Sequence, residues 1–171
     1  PNCQVAIDII YNPYKTSFLL AAEANNIRTI NGLYMLLMQA VETEKMIQNK
    51  SFSNEFIHEI YHDIIHQQVN VVLIGLPFSG KSTIGNELSK SLKRPLIDTD
   101  DLIENNAQTS IPNIFKNYGE DKFRQIEKDV IYALNHQRGS IISTGGGVIL
   151  SKDNMINLKH NGVVIYINKD R

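Results

Sequence analysis

The stretch GLPFSGKS, residues 75–82, decides the fold because it fits the phosphate-binding loop pattern G-x-x-x-x-G-K-[ST]. A short apolar β-branched run, residues 71–74, precedes it and is typical of a buried strand. After it, Ile84, Leu88 and Leu92 recur at helical spacing. A strand, a glycine-rich loop and a helix in this order predict that the loop amides and the helix N-terminus face a polyphosphate.

The same pattern assigns roles within the loop. Lys81 is expected to reach the β- and γ-phosphates of a nucleotide, and the Ser82 hydroxyl is expected to ligate Mg²⁺. Pro77 has no N–H, so one loop position cannot donate a hydrogen bond. A chance glycine-rich turn is the alternative, which the regular flanks disfavour. The residues expected to bind ATP are Pro77, Phe78, Ser79, Gly80, Lys81, Ser82 and Thr83.

Composition narrows the class of protein. The chain has 171 residues, and 42% of them are hydrophobic, which suffices for a packed core. The 17 Lys and Arg residues nearly balance the 18 Asp and Glu residues, so nothing indicates a nucleic-acid or membrane partner. With one cysteine, Cys3, and no secretory signal or long apolar run, we expect a cytoplasmic protein without an internal disulfide. The sequence leaves the oligomeric state open.

Two parts with different architecture meet near residue 68. Residues 1–68 predict a strand over 5–11 and helices over 17–25, 33–48 and from a cap at Ser51 or Ser53 to about 67. Residues 69–171 predict strands over 71–74, 95–98, 141–143 and 163–167, with helices between them, one starting near Gly119. This alternation predicts an α/β fold: a parallel sheet with helices on both faces and ligands at the carboxyl ends of the strands.

Two aspartates follow the strand over 95–98. Because positions two apart on a strand point the same way, Asp98 and Asp100 are expected to project together at the carboxyl end of the sheet. Two carboxylates this close repel each other unless a cation lies between them, and Mg²⁺ held near Ser82 would be that cation. The alternative is that Asp100 or Asp101 caps a helix.

Arg124 lies one turn into the helix predicted from Gly119, with Glu127 three residues later. A guanidinium group suits bidentate recognition of a ligand carboxylate, and Glu127 would orient it from the same helix face. The alternative, which the spacing alone favours, is a surface ion pair.

Three glycines, Gly145, Gly146 and Gly147, end the strand over 141–143. They let a ligand approach the backbone closely, unless they form a simple loop. Many phosphate-loop ATPases carry a metal-linked aspartate at this strand end, where this chain has Ser143 and Thr144. The carboxylate on the metal side must then come from elsewhere, and Asp98 is the candidate.

Three histidines recur at every fourth position of the last helix before the boundary: His58, His62 and His66. A metal site is one interpretation. We expect a solvated helix face instead, because they flank the apolar stripe on its polar side.

Four motifs, GLPFSGKSTIG, LIDTD, YGEDKFRQIE and STGGGVIL, resemble shikimate kinase in their order and spacing, over residues 69–171. The resemblance implies a P-loop kinase fold and the Mg²⁺-dependent transfer of a phosphoryl group from ATP to shikimate. The product would be shikimate 3-phosphate, in chorismate and aromatic amino acid biosynthesis. The family's lid, last strand and adenine contacts would lie beyond Arg171, so we expect a fragment with an incomplete sheet.

The resemblance also implies roles for individual residues. Lys81 and Asp100 would act in catalysis, with Asp100 binding the reacting hydroxyl and accepting its proton. Ser82 and Asp98 would hold the metal, Asp98 through water. Arg124, supported by Glu127, would bind the substrate carboxylate. The residues implied to contact shikimate are Asp100, Arg124, Gly145, Gly146, Gly147, Phe115 and Phe123.

The first part resembles the C-terminal end of shikimate dehydrogenase, a Rossmann-type enzyme, through DIIYNPYKTSFLLAAE and TINGLYMLLMQA. The resemblance implies that Tyr11 and Gln39 approach shikimate and that Gly32 and Met35 line the nicotinamide pocket. The NADP fingerprint and the catalytic residues would lie upstream, so no dehydrogenase activity is expected from this part alone. Together the two resemblances imply a junction fragment of a bifunctional enzyme.

Two other functions stay open at this point. One is another small-molecule P-loop kinase, gluconate-like or acting on nucleotides; the position of Arg124 favours a carboxylate substrate over a nucleotide. The other is a non-catalytic nucleotide-binding module, against which the retained Lys81, Ser82, Asp98 and Asp100 argue.

Overall fold

The computed structural model describes residues 3–168. The two parts predicted from the sequence extend to residues 1–2 and 169–171, which lie outside this range. The chain divides into two compact units, one ending at Val69 and the other beginning at Asn70. This division lies one residue after the boundary expected from the sequence.

The first unit combines two short parallel strands with three helices. β1 (Val5–Ile7) pairs with β2 (Arg28–Ile30). The helices are α1 (Ser17–Ala24), α2 (Leu33–Gln48) and α3 (Asn54–Gln68). Two small apolar clusters hold the unit together, one formed by Ala6, Leu19 and Ala22 and the other by Leu37, Val41 and Ile57.

The strands of the first unit differ from the prediction, whereas its helices lie where expected. The strand expected over 5–11 ends at Ile7, because the Asp8 carboxylate accepts the N–H of Ile10 (3.0 Å) and the Thr16 hydroxyl (2.7 Å) and turns the chain. β2 escapes prediction, since three residues are too few to show a period. Of the two predicted caps for α3, Ser53 is the one that accepts a helix N–H.

The second unit is built on a parallel sheet whose described strands lie in the order β4-β5-β3-β6. The strands are β3 (Asn70–Ile74), β4 (Leu96–Asp98), β5 (Ile141–Ser143) and β6 (Gly162–Tyr166). The helices are α4 (Lys81–Leu92), α5 (Thr99–Ala107), α6 (Ile111–Ala133) and α7 (Lys152–His160), with short 3-10 helices at Leu134–His136 and Val148–Leu150. The predicted α/β class is confirmed.

Helices pack on both faces of this sheet. On one face, Val72 and Ile142 join Ile131 of α6 in a buried cluster. Leu96 points to the other face, because it is in register with the residue before Ile142 and side chains alternate along a strand. There α4 approaches closely at Gly85, where an added Cβ would lie 3.0 Å from Leu96 Cδ1.

The predicted start of α6 is wrong by several residues, and bounds of β3, β4 and β6 differ from the prediction by one residue. The helix expected from Gly119 begins at Ile111, and Gly119 is a kink inside it, with φ 79° and ψ 176°. The glycine therefore marks an interruption rather than a start. The last described strand lies one residue earlier than predicted, at Gly162–Tyr166. Across residues 3–168, none of the helices combines the length and the apolar character needed to span a bilayer.

Candidate functional site

Three predicted site segments meet at the carboxyl edge of the sheet. Leu73, Ser143 and Asp98 are in register across β3, β5 and β4, so the loops that follow these strands leave the sheet side by side. β5 lies between the other two strands. The glycine loop that follows β5 therefore lies between the phosphate loop after β3 and the aspartates after β4.

The contacts of the three glycines show how close these segments are. An ideal Cβ would lie 2.7 Å from Asp100 Oδ1 if built on Gly145, and 2.7 Å from Pro77 Cδ if built on Gly146. Built on Gly147, it would lie 2.6 Å from Nη1 and 2.7 Å from Nη2 of Arg124. Real Cβ atoms do not approach other atoms this closely. The predicted nucleotide-binding, catalytic and carboxylate-binding residues thus converge on one side-chain-free loop.

Backbone conformation shapes the phosphate loop. Gly80 has a φ of 91°, and α4 begins directly after it at Lys81. The Lys81 ammonium group folds over the loop and donates to the carbonyls of Gly75 (3.0 Å) and Leu76 (2.8 Å). Burial lowers the pKa of Lys81, and the negative charges of Asp100 and Asp98 oppose that shift.

Two side chains of this loop stand out because they gain little from their neighbours among residues 3–168. The Ser79 hydroxyl is buried and finds no hydrogen-bond partner among residues 3–168. Phe78 is 97% exposed and has a φ of 65°, a left-handed conformation that side chains other than glycine seldom adopt. Ser82 and Thr83 are exposed at the start of α4.

Asp98 links the predicted metal-side residues. Its Oδ2 accepts the Ser82 hydroxyl at 3.3 Å, and its Oδ1 accepts the N–H of Asp100 at 3.0 Å. Asp98 is therefore the cap of α5, and neither Asp100 nor Asp101 is. The extended geometry expected for both aspartates ends at Asp98, because Asp100 lies in the first helical turn.

The two aspartates still influence each other electrostatically. Burial raises the pKa of Asp100, and the negative charges of Asp98 and Glu127 raise it further, while Lys81 opposes the shift. A half-buried carboxylate surrounded by these charges is a suitable acceptor for a proton or for a hydroxyl hydrogen bond.

Arg124 is held by two carboxylates. Its Nη1 lies 3.1 Å from Glu127 Oε2, and its Nη2 lies 3.1 Å from Glu120 Oε1. Glu127 is only 2% exposed, so this is not the surface pair that the spacing favours. The guanidinium carbon also lies 5.0 Å from the centre of the Phe123 ring. Phe123 in turn stacks on Phe115, with 4.7 Å between the ring centres.

A family model for shikimate kinase matches residues 77–171. The chain belongs to the shikimate kinase family. The similar proteins include a shikimate kinase from Clostridium botulinum (strain Okra / Type B1), 52% identical over 98 residues that make up 57% of this chain and 58% of that protein.

Solved shikimate kinases agree with this assignment. The enzyme from Acinetobacter baumannii in complex with shikimate is 33% identical and superposes with a TM-score of 0.60, covering 63% of this chain and 60% of that one. The enzyme from Aquifex aeolicus is 36% identical, with a TM-score of 0.57 and coverage of 60% and 61%. The chain thus spans less than two thirds of the shikimate kinases it matches.

Two polar residues that the sequence does not single out support this candidate site. The buried Thr99 accepts the N–H of Gly145 at its Oγ1 (3.1 Å), and the buried Asn154 lies 3.5 Å from Glu127 Oε2 through its Nδ2. The position of Thr99 between the two aspartates is a usable signal. Asn154 offers no such signal in the sequence, because it lies on α7, far from Glu127 along the chain.

In the first unit, the start of α2 lies against the segment that precedes Tyr11. Gly32 donates its N–H to the carbonyl of Ile10 (3.2 Å), and a Cβ on Gly32 would lie 1.8 Å from the carbonyl oxygen of Ile9. Met35 and Gln39 lie one turn apart on α2 and, like Tyr11, are exposed. Their dehydrogenase-type roles stay predictions.

The three histidines of α3 lie on a solvated helix face, as expected. His58, His62 and His66 are all exposed on α3. Within residues 3–168, no three or more His, Cys, Asp or Glu side chains are grouped so that they could hold a metal ion.

Proposed function

We propose that this member of the shikimate kinase family transfers the γ-phosphoryl group of ATP to a hydroxyl of shikimate, giving shikimate 3-phosphate. The observation that carries the proposal is the convergence of the phosphate loop, Asp100 and Arg124 on the loop of Gly145, Gly146 and Gly147. Phosphoryl transfer requires positioning and charge neutralisation more than covalent chemistry, and this arrangement supplies both. The complex of the related Acinetobacter baumannii enzyme with shikimate supports the choice of substrate.

The hydrogen-bond donors of the phosphate loop suit the phosphates of ATP. Residues 77–83 would bind the phosphates, with Lys81 at the start of α4, where the helix dipole also favours a phosphate. The buried Ser79 hydroxyl, which has no partner among the described residues, fits a loop that gains an acceptor when a nucleotide binds. Lys81 would then exchange its two loop carbonyls for phosphate oxygens.

Mg²⁺ fits the oxygen pair of Ser82 and Asp98, whose side-chain oxygens already lie 3.3 Å apart. Mg²⁺ prefers oxygen ligands and keeps several waters, so one hydroxyl and one carboxylate suffice on the protein side. When bound, the metal supplies charge neutralisation for the phosphates. Asp98 also holds the start of α5, which keeps Asp100 at a fixed distance from the metal-side residues.

On the acceptor side, Asp100 would receive the hydrogen bond of the reacting hydroxyl and then its proton. Its raised pKa favours proton uptake at the moment when the hydroxyl loses its proton. Phe115 and Phe123 would form an apolar wall beside the ring.

Arg124 offers one edge of its guanidinium group to a carboxylate. Glu120 accepts from Nε and Nη2, while Nη1 and Nη2 both face the position where Gly147 lacks a side chain. Glu127 and Glu120 fix the orientation of the group, so a ligand carboxylate meets a preorganised pair of donors. A substrate without a carboxylate would leave this edge unused.

The test is release of ADP, with and without shikimate, by protein from the complete open reading frame. We expect strict dependence on shikimate, loss of turnover in Lys81→Ala, and a large rise in KM when the methyl ester of shikimate replaces the acid. In Arg124→Lys, the acid should lose most of its advantage over the ester. Turnover with gluconate or a nucleotide instead would identify another kinase, and nucleotide binding without any turnover would identify a non-catalytic module.

We also infer that the first unit is the C-terminal part of a shikimate dehydrogenase, so that the chain joins two consecutive activities. The motifs over residues 5–41 support this, as does the close approach of Gly32 to Ile9 beside Tyr11. NADP would bind only together with the upstream part. NADP-dependent oxidation of shikimate by the complete protein is the expected result, and its absence would contradict the inference without affecting the kinase proposal.

A further inference from the structure

We propose that Thr99 is a positioning residue that holds the glycine loop, residues 145–147, in register with Asp100 and Arg124. This inference rests on the proposed kinase activity. Thr99 is 1% exposed, so it does not itself contact a ligand. Its Oγ1 accepts the N–H of Gly145 at 3.1 Å, and it therefore acts through that residue.

The contact lies where support from the sheet ends. Thr144 is still tied to β3, because its N–H (3.2 Å) and its hydroxyl (3.0 Å) both donate to the carbonyl of Leu73. At the next residue, Gly145, the N–H turns to Thr99 of α5 instead. Beyond it, Val148 closes a tight turn by donating its N–H to the Gly145 carbonyl at 3.3 Å. Thr99 thus provides a hydrogen bond that links the glycine loop to α5.

A small displacement of this loop would affect two ligand-binding groups together. An ideal Cβ built on Gly145 would lie 2.7 Å from Asp100 Oδ1, and one built on Gly147 would lie 2.6 Å from Arg124 Nη1. Both side chains therefore lie directly against the loop. Asp100 faces the acceptor hydroxyl and Arg124 faces the carboxylate in the proposed reaction. Losing the Thr99 contact would therefore shift the glycine loop relative to both Asp100 and Arg124.

The nucleotide side should be affected much less. The phosphate loop keeps its own hydrogen bonds, from Lys81 to Gly75 and Leu76 and from the N–H of Ser79 to Leu76 (3.2 Å). None of these bonds involves Thr99 or the glycine loop. The glycine loop does approach the phosphate loop, at Gly146 and Pro77, but Pro77 has no N–H to donate to a phosphate. The role of Thr99 consequently predicts a selective effect on shikimate rather than on ATP.

The test compares matched variants of the complete protein. Thr99→Val keeps the shape of the side chain but removes the acceptor, whereas Thr99→Ser keeps the acceptor. Ser140→Ala is the control. Ser140 is a fully buried hydroxyl residue that directly precedes β5, at the strand end away from the glycine loop, and its hydroxyl donates to the backbone carbonyl of Arg138. For each protein, the KM for shikimate, kcat, the affinity for MgADP and the melting temperature are measured.

We expect Thr99→Val to raise the KM for shikimate about tenfold and to lower kcat, with the affinity for MgADP unchanged. Thr99→Ser should restore both kinetic constants, and Ser140→Ala should lower the melting temperature without changing KM. The inference is overturned if Thr99→Val matches the wild type, if MgADP affinity falls in parallel, or if Ser140→Ala shows the same KM change.

If Thr99→Val does not fold, Thr99→Cys replaces it, because a thiol is a poor acceptor in nearly the shape of serine. A KM equal to that of Thr99→Ser would then overturn the inference. The wild type separates the two proposals: if it shows no shikimate-dependent turnover, the proposed function itself fails, whereas an active wild type with unresponsive Thr99 variants contradicts this inference alone.

Discussion

In the second unit, the predicted ligand-binding residues rest on buried neighbours; in the first unit, they lie among exposed apolar side chains. Arg124 is held by the buried Glu127, and Gly145 by the buried Thr99. By contrast, Tyr11 follows Ile9 and Ile10, which are 71% and 47% exposed. The difference teaches that a site is preorganised in this chain only where its residues are tied to more than one element.

The same contrast holds for the two sheets. β3 lies between two strands, and its Val72 and Leu73 are fully buried. In the first unit, β1 pairs with β2 alone among the described residues, and its Ile7 is 64% exposed. The second unit therefore has a core of its own around its sheet, whereas in the strands of the first unit only Ala6 of β1 is buried and the larger apolar residues, Val5, Ile7 and Ile30, are exposed.

The largest expected effect is on catalysis in the second unit. Asp100→Asn should lower kcat at least about a hundredfold, because the amide cannot accept the proton of the hydroxyl. Nucleotide affinity, measured by titration with MgADP, should stay unchanged. Asp101→Asn is the control, since Asp101 lies in the same helical turn but is exposed. An equal loss in both variants would show that the charge of this turn, and not Asp100, is what matters.

Core substitutions should separate the two units next. Ile142→Ala removes a side chain that is 1% exposed and should cost about 3 kcal/mol of unfolding free energy. Ile7→Ala should stay within about 0.5 kcal/mol, because Ile7 makes little use of burial. Hydrogen exchange of the amides of each unit measures both effects separately. A comparable loss from Ile7→Ala would mean that the first sheet is covered by something in solution.

Glycine substitutions should act on stability in one unit and on binding in the other. Gly32→Ala puts a Cβ 1.8 Å from a backbone oxygen, which cannot move freely, and should cost the first unit about 2 kcal/mol. In Gly147→Ala, the nearest atoms to the new Cβ belong to the flexible end of Arg124, so the substitution should mainly raise the KM for shikimate. Exchange protection reports the first effect and steady-state kinetics the second. The comparison fails if Gly147→Ala unfolds the second unit while its kinetics stay normal.

The smallest effect concerns Phe78. Its left-handed φ of 65° is strained, and its 97% exposed side chain gains no packing in return. Phe78→Gly should therefore stabilise the second unit by roughly 0.5 kcal/mol, after the greater freedom of glycine in the unfolded chain is subtracted. Phe78→Ala keeps a Cβ and should leave the stability unchanged. Chemical denaturation distinguishes them, and equal gains from both variants would refute the strain explanation.

The sequence predicted those parts of the site that have a local pattern. The phosphate loop is fixed by glycines and a lysine at set spacing, and the strand over 141–143 was located correctly because it is a short apolar run before three glycines. The sheet class followed from the alternation of strands and helices. Such features depend on neighbours in sequence, which a single chain displays directly.

The sequence does not predict contacts between distant residues, or the bounds of elements whose hydrophobic periodicity is weak. Thr99 lies between two aspartates, which draws attention to the residue, but nothing local in the sequence identifies its partner Gly145, 46 positions away. The start of α6 was misplaced because the glycine at 119 looks like a helix boundary but is tolerated as a kink. The cap of α5 is Asp98 rather than Asp100 or Asp101. With three aspartates within four residues, the sequence alone leaves the choice of cap ambiguous.

The most direct test of the central claim is to follow the phosphoryl group itself. The complete protein is incubated with shikimate and ATP, and the products are identified by phosphorus NMR. We expect a single new phosphomonoester, coupled to the proton at position 3 of the shikimate ring and formed in equal amount to ADP. Inorganic phosphate without a phosphoester, or a phosphoester on another acceptor, would contradict it.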